Sequence, residues 1–301
     1  MPDFTNIFDL PSLGDLVEVI KQNIILTILA TYSMLGDFSS VNPLYGEVYS
    51  SLGSTPSQWN FTIYGAITGM TKNVLMPVAG VITAFVLSFD LVQSVNTRNN
   101  MQVYDSDTGM FIKWLIKAMI AVTLVSHSME IVNGIFYISS WVVTKATEYF
   151  STESSLTVEA LSEFFVNSLY EKSIPELLLI QGEIMLSTVA VAIMLILATV
   201  IIWSRMIEIF MVIAASPIPL ATLVNREWSD VGKNYIKLIC AYALQAYLIM
   251  IVFAVYSALI KNVAFSASVT KATITLITYT FLFGYMFFKT EGLAKSIFCA
   301  H

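Results

Sequence analysis

The sequence predicts an all-α, polytopic integral membrane protein with about five transmembrane helices, five to six in all. Amphipathic helices and one proline-broken re-entrant segment complete the predicted fold. Of its 301 residues, 56% are hydrophobic and 12% are charged, whereas about a quarter of the residues in a soluble domain are charged. The mean hydropathy is +0.75, and apolar runs long enough to cross a hydrocarbon core of about 30 Å recur along the chain. A water-soluble globule is therefore excluded.

The charge balance and the missing motifs exclude several classes of function. Fifteen Lys and Arg against 21 Asp and Glu give a formal net charge of −6. This balance argues against a basic nucleic-acid-binding surface as the main functional feature, because phosphate contacts need clustered Lys and Arg. The sequence has no H-E-x-x-H, G-x-S-x-G or P-loop motif. We therefore expect no enzyme activity, no cofactor and no metal site. A partner must supply any step that needs ATP.

Residues 1–72 are predicted to form an extracytoplasmic or interfacial region in front of a transmembrane domain of residues 73–301. Within the first region, the apolar residues 23–35 reach about 20 Å as a helix, which favours an interfacial amphipathic helix over a full span. Residues 36–60 have the glycine, proline and serine content of a loop. If the N-terminal helix crosses the membrane instead, the chain has six spans.

Five apolar segments are predicted to cross the membrane, namely residues 74–92, 114–143, 184–203, 236–260 and 272–288. The second would be about 45 Å long as a helix, so it should tilt or protrude from the hydrocarbon core. Residues 145–183 form an acidic extracytoplasmic insertion with an amphipathic helical pattern over 158–169. A capping box from Ser173 to Glu176 marks the start of the helix that follows.

Residues 206–224 are too interrupted for an unbroken transmembrane helix. Pro217 and Pro219 lack backbone N–H groups, so they leave carbonyl groups without helical donors. Because lipid does not tolerate unpaired backbone, this segment must be buried in protein or border a water-filled cavity. We predict a re-entrant or interfacial hairpin, with both prolines as channel-lining or structural candidates.

Five more polar residues are candidates for the same roles because they lie in or beside apolar spans, where a charge costs about 2.5–3.5 kcal/mol. His127 and Glu130 share one helix face, and they either pair as a buried packing contact or line an aqueous path. Arg205 and Glu208 repeat that spacing. They form either an interfacial ion pair with the arginine extended to the membrane surface, or a pair that sets the angle of the broken segment. Gln245 either hydrogen-bonds between helices or lines a pore.

The distribution of charge predicts an extracytoplasmic N-terminus and a cytoplasmic C-terminus. With five spans in this orientation, nine Lys and Arg lie inside and six outside, Lys72 among the outer six. Five of the inner nine are close to membrane ends, where the positive-inside rule is strongest. Acidic residues follow the opposite trend, with thirteen outside and seven inside.

A family resemblance is strongest over residues 200–260. It rests on Arg205-Met-Ile-Glu208, on Ala214-Ala-Ser-Pro217-Ile-Pro219-Leu-Ala-Thr, on the polar loop with Trp228, and on Ala243-Leu-Gln245-Ala. These strings resemble the TrbL-like family of polytopic inner-membrane subunits of type IV secretion and conjugation machines. The resemblance extends over about residues 70–295 and is closest to the compact proteins of Gram-positive conjugative elements. The first 70 residues do not share it.

The resemblance implies a multi-pass protein of the bacterial cytoplasmic membrane that forms a ring or cluster of copies. Such a subunit helps to carry single-stranded DNA with bound relaxase, or protein, across the membrane. The implied partners are other type IV secretion subunits including ATPases, further copies of the chain, membrane lipid and, transiently, the translocated DNA or protein. The alternative is a secondary transporter for a small solute. Such carriers usually have two corresponding interrupted helices, and this sequence shows one.

Overall fold

The fold is helical throughout the part of the chain that the computed structural model describes, which is residues 13–36, 50–101, 107–153, 168–169, 172–264 and 269–300. This confirms the predicted all-α class. Five helical segments in these ranges are long and apolar enough to cross a membrane. They are Phe61–Asn96, Gly109–Ser126, Ile174–Ala215, Ser229–Ile260 and Val269–Ile297.

The structure gives the bounds of ten α-helices in these ranges. In chain order they are α1 Leu13–Gly36, α2 Pro56–Trp59, α3 Phe61–Met70, α4 Met76–Met101, α5 Asp107–Ser126, α6 Ser128–Glu153, α7 Ile174–Ala215, α8 Pro217–Thr222, α9 Ser229–Ala264 and α10 Val269–Ile297. A single π-helical turn, Thr71–Leu75, joins α3 to α4. Helix α1 has 24 residues and would extend about 36 Å, and its interfacial position stays a prediction.

The first span begins at Phe61 and not at residue 74 as predicted. Asn60 caps α3, because its side-chain oxygen accepts the Ile63 N–H at 3.0 Å. Pro77 then falls inside a continuous helical path. The π turn in front of it, closed by the Met76 N–H on the Thr71 carbonyl, widens the helix where the proline ring would otherwise clash with the preceding turn. Lys72, assigned to the outer side in the sequence analysis, consequently lies within a candidate span.

The second predicted span, residues 114–143, extends over α5 and part of α6, which are almost one helix. The segment long and apolar enough to cross a membrane is shorter, Gly109–Ser126. His127 is the turn residue between them. The His127 N–H bonds to the Thr123 carbonyl and the Ile131 N–H to the His127 carbonyl, both at 3.0 Å. Helical hydrogen bonding therefore continues through the junction.

The third predicted span is part of α7, whose 42 residues run from the predicted capping box to Ala215. The Ser173 N–H donates to a Glu176 carboxylate oxygen at 3.1 Å, which confirms that helix start. The break comes at Ser216, in the Ser216–Pro219 string that was predicted to interrupt the chain. Residues 206–215, predicted as the start of the re-entrant segment, instead continue α7, because their apolar helical sequence is unbroken up to the first proline. The amphipathic pattern at 158–169 lies outside the described residues, except for its last two positions.

The chain divides into two compact units. One comprises Met1–Val48, Glu148–Thr199 and Ile251–Phe287. Its described part has an aromatic core in which Phe253 and Phe283 meet edge to face at 5.1 Å and Tyr256 stacks on Phe283 at 4.4 Å. An apolar groove of about 150 Å³ lies between α9 and α10 in this unit.

The other unit comprises Tyr49–Thr147, Val200–Met250 and Phe288–His301. Its core joins α6, the end of α7 and the first half of α9. The buried side chains of this core are Met129, Val132, Phe136, Met206, Ile209, Ile213, Leu220, Tyr235, Ile239 and Tyr242. All seven candidate residues of the sequence analysis belong to this second unit.

Candidate functional site

The end of α7 must replace the backbone donors that its two prolines lack. Without an N–H on Pro217, the Ile213 carbonyl loses its helical partner. The Ser216 N–H takes that place at 3.2 Å, and the Leu220 N–H returns to the Ser216 carbonyl at 3.4 Å. The chain therefore passes through a tight turn and enters α8 with its hydrogen bonding largely restored.

Side chains from two other elements satisfy further carbonyls at the break. The Tyr235 hydroxyl of α9 donates to the Val212 carbonyl at 2.8 Å. The Thr71 hydroxyl, from the π turn, donates to the Ala214 carbonyl at 3.4 Å. Two irregular backbone segments, the π turn and the proline break, are thus in direct contact. Neighbouring helices and hydroxyl side chains are what makes broken helices tolerable in a membrane.

Helix α8 is buried in protein, one of the two environments that its sequence allowed. Pro217 and the last three residues of α8 are buried. Ala221 packs with Ala79 of α4 and Val125 of α5 in one small apolar cluster. The helix that contains both prolines is therefore packed between α4 and α5. Pro219 is half-buried at its surface.

The loop after α8 is held by close packing. Trp228 lies against Phe85 and Phe89 of α4, with ring centroids 5.8 and 6.3 Å apart. A Cβ atom added to Gly232 would lie 2.7 Å from the Pro219 carbonyl oxygen and 2.5 Å from Leu223. The first turn of α9 can approach the proline segment so closely because position 232 has no side chain.

Arg205 is buried, with 4% of its surface exposed. Its guanidinium donates to the Tyr242 carbonyl of α9 through Nε at 3.3 Å and Nη2 at 3.0 Å. The predicted alternative in which Arg205 extends to the membrane surface is therefore wrong, because a backbone acceptor on the neighbouring helix holds the guanidinium inside the protein. Arg205 connects α7 to α9 about three helical turns before the break.

Glu208 lies half-buried beside this connection. It interacts electrostatically with Arg205 and with Tyr242, but none of the ion pairs among the described residues joins Arg205 to Glu208. Lys295 of α10 lies 5.6 Å from the centre of the Tyr242 ring and pairs with Glu291 at 2.5 Å. The charged residues therefore form a loose cluster around Tyr242.

His127 and Glu130 are both exposed on the surface of this chain. The His127 Nδ1 atom lies 3.1 Å from the Thr123 carbonyl oxygen of its own helix. The reading as a buried packing pair does not describe them, because the adjacent Ser128 and Met129 face the core instead. The side chains of His127 and Glu130 therefore face away from the core of this chain.

Gln245 is buried in α9, and its Oε1 atom has no hydrogen-bond partner among the described residues. The structure therefore does not show the interhelical hydrogen bond expected of a packing residue. Within the described ranges, no group of three His, Cys, Asp or Glu side chains is placed to hold a metal ion.

The sequence analysis missed an ion pair between the first two spans. Lys117 Nζ of α5 lies 3.1 Å from each carboxylate oxygen of the buried Asp90 of α4. Nearby, the Trp114 indole N–H donates to the Leu87 carbonyl at 3.1 Å. An acid near the end of one span and a lysine near the start of the next were the available signal. Thr71, Tyr235 and Gly232 had no comparable signal, since each contacts a backbone carbonyl that no residue type marks.

Five helices long and apolar enough to cross a membrane define a multi-pass membrane protein. A comparison with protein families identifies which one: the profile of the TrbL/VirB6 plasmid conjugal transfer like protein family matches residues 41–217. The match covers more than half of the chain, and the protein belongs to this family. It is accordingly a membrane subunit of conjugal transfer, a component of a type IV secretion system in the cytoplasmic membrane. No curated protein and no solved structure matches the chain.

The family match differs in extent from the resemblance seen in the sequence. It begins at residue 41, inside the region that the sequence analysis left outside the resemblance, and ends at Pro217. Arg205, Glu208 and Pro217 lie within the match. Pro219 and Gln245 lie beyond it, so their roles rest on the structure of this chain alone.

Proposed function

We propose that this protein is a channel or scaffold subunit that helps to move single-stranded DNA with bound relaxase, or protein, across the cytoplasmic membrane. The observation that carries the proposal is the family match over residues 41–217. The five membrane-spanning helices support it, because a subunit at this step must be embedded in the bilayer. No catalytic role is proposed, and ATPases of the same machine would drive transport.

The packing of the proline break bears on where a passage would lie. Irregular backbone in a membrane is either buried in protein or borders water. Here α8 is packed against α4 and α5 through Ala221, which supports a structural role for the break over a role in lining a path. We therefore propose that the passage is formed between copies of the chain, or between this chain and partner subunits.

A secondary transporter for a small solute is the alternative. The broken helix alone would fit such a carrier. The two proposals differ in whether transport needs other proteins, because a carrier moves its solute without the rest of a secretion machine. Reconstitution in proteoliposomes with accumulation of a defined solute would favour the carrier.

The proposal is tested by deleting the gene from its element and measuring the frequency of conjugative transfer. We expect transfer to be abolished, donor growth to be unchanged, and a copy of the gene in trans to restore transfer. Nicking of the DNA at the origin of transfer should continue, because that step precedes membrane passage. Unchanged transfer in the deletion strain would overturn the proposal.

A further inference from the structure

An exposed lysine lies in the apolar surface of the first span. Lys72 is in the π turn and is exposed, and so are the apolar side chains of Met70 and Val74 on either side of it. None of the hydrogen bonds or ion pairs among the described residues involves its ammonium group. A lone cation in an apolar membrane segment is energetically unfavourable unless it pairs with another group, faces water or reaches the membrane surface.

An exposed acid has the matching position on the second predicted span. Glu130 is exposed on α6, and exposed apolar side chains flank it at Val122 and Ile138. In the described part of the chain its carboxylate also has no hydrogen-bond or ion-pair partner. The buried Asp90 is different, because Lys117 of the same chain pairs with it.

The two exposed charges lie between the same two contacts of their unit. The Asn133 side chain of α6 donates to the Tyr64 hydroxyl of α3 at 2.6 Å. Further along, Ala79 of α4 and Val125 of α5 meet in one buried cluster. The lysine lies between Tyr64 and Ala79, and the glutamate lies between Val125 and Asn133. Both charges are therefore bracketed by the same two contacts between these helices.

We propose that Lys72 of one copy of the chain pairs with Glu130 of the next copy, so that the π turn and the face of α6 form the two sides of a subunit interface. Opposite charges at two separate exposed positions of one chain suit a head-to-tail interface, which closes into a ring when the rotation allows. The inference rests on the proposed function, since it specifies how copies of this subunit would assemble.

A second copy explains these charges better than transported DNA. An acidic side chain repels phosphate, so Glu130 facing a DNA path would oppose passage. A second copy neutralises both residues at once and covers the apolar side chains around them. His127, beside Glu130 on the same face, would lie at the edge of the same contact.

Disulfide cross-linking in native membranes tests the interface. In a background with Cys240→Ser and Cys299→Ser, cells would produce one set of chains with Lys72→Cys and another with Glu130→Cys. Oxidation should give a covalent dimer of twice the 33.4 kDa chain mass when the two variants are present together. Each variant alone should stay monomeric. Val81→Cys, an exposed apolar position on α4, replaces Lys72→Cys as the matched control and should not cross-link to Glu130→Cys.

Absence of the mixed dimer would overturn the inference. So would a chain carrying both cysteines that forms only an internal disulfide, because the two charges would then belong to one copy. Charge reversal is an independent check in the native chain: Lys72→Glu or Glu130→Lys should lower chemical cross-linking of oligomers about tenfold, and the double reversal should restore it. If the disulfide-linked dimer of the two variants does not form while gene deletion still abolishes transfer, the proposed Lys72–Glu130 interface is wrong and the proposed function stands.

Discussion

Arg205 shows how a single buried side chain can connect two membrane helices. Its position near a span end was predicted from sequence, but its environment was not. The acceptor is a backbone carbonyl at Tyr242, 37 positions away, and nothing in the sequence marks one carbonyl among many. Sequence can thus place a charge in a span, whereas its partner depends on how the helices pack.

We expect Arg205→Ala to destabilise the protein, because it removes two charge-assisted hydrogen bonds from a buried position, worth about 1.5–3 kcal/mol each. The expected result is a lower level of folded protein in membranes and less conjugative transfer. Lys271→Ala is the matched control, since Lys271 is an exposed cation at the start of α10 and its removal should have little effect. Equal losses from both variants would argue against a structural role for the Arg205 connection.

Gly232 is a second position where a small change in a side chain should alter stability, because there is no room for a Cβ atom. We expect Gly232→Ala to cost about 1–3 kcal/mol through overpacking, because the new Cβ would meet the Pro219 carbonyl oxygen at 2.7 Å. Thermal unfolding of the purified protein in detergent would measure the loss. Gly80→Ala on α4 is the control, since a Cβ there meets no atom within 4 Å. An unfolding temperature equal to that of the control would contradict the close approach described here.

At the scale of elements, hydrophobic pattern predicted the helices better than their ends. Apolar length located the five spans, and the missing N–H groups of Pro217 and Pro219 located the break. The start of the first span was misplaced at residue 74, with Pro77 near it, whereas the helical path begins at Phe61. The π turn that accommodates this proline leaves no periodic signal, since it shifts the helix by a single residue. The ion pair of Asp90 and Lys117 joins α4 to α5, and it was not predicted from the sequence.

The Asp90–Lys117 pair should behave as a coupled unit that holds α4 to α5. Lys117→Met is expected to destabilise the protein, because it leaves the Asp90 carboxylate buried and unpaired. Adding Asp90→Asn should recover part of the loss, since the uncompensated charge is removed. Unfolding of the single and double variants in detergent gives the coupling energy. Strictly additive losses would show that the two side chains do not depend on each other.

At the scale of the whole molecule, the sequence predicted the membrane class and the family, and the family profile agrees with both. The orientation of the termini stays a prediction from the distribution of Lys and Arg. Composition could not reveal the assembly of copies. That depends on which charges a folded chain leaves exposed, as with Lys72 and Glu130.

Cys299 offers a direct reading of orientation because it is exposed near the C-terminus. With a cytoplasmic C-terminus, a membrane-impermeant maleimide should not label Cys299 in intact cells and should label it after permeabilisation. Cys299→Ser is the control that identifies background from Cys240, which is half-buried in α9. Strong labelling of Cys299 in intact cells would reverse the predicted orientation.

Contact with DNA in transit is the central claim, and formaldehyde cross-linking during mating tests it most directly. The tagged subunit would be captured from donor cells and the transferred strand quantified against a chromosomal locus that is not transferred. We predict enrichment of the transferred strand that disappears when the relaxase or the machine's ATPases are removed. If the subunit is produced, transfer proceeds and the strand is not enriched, this protein does not line the path of the DNA.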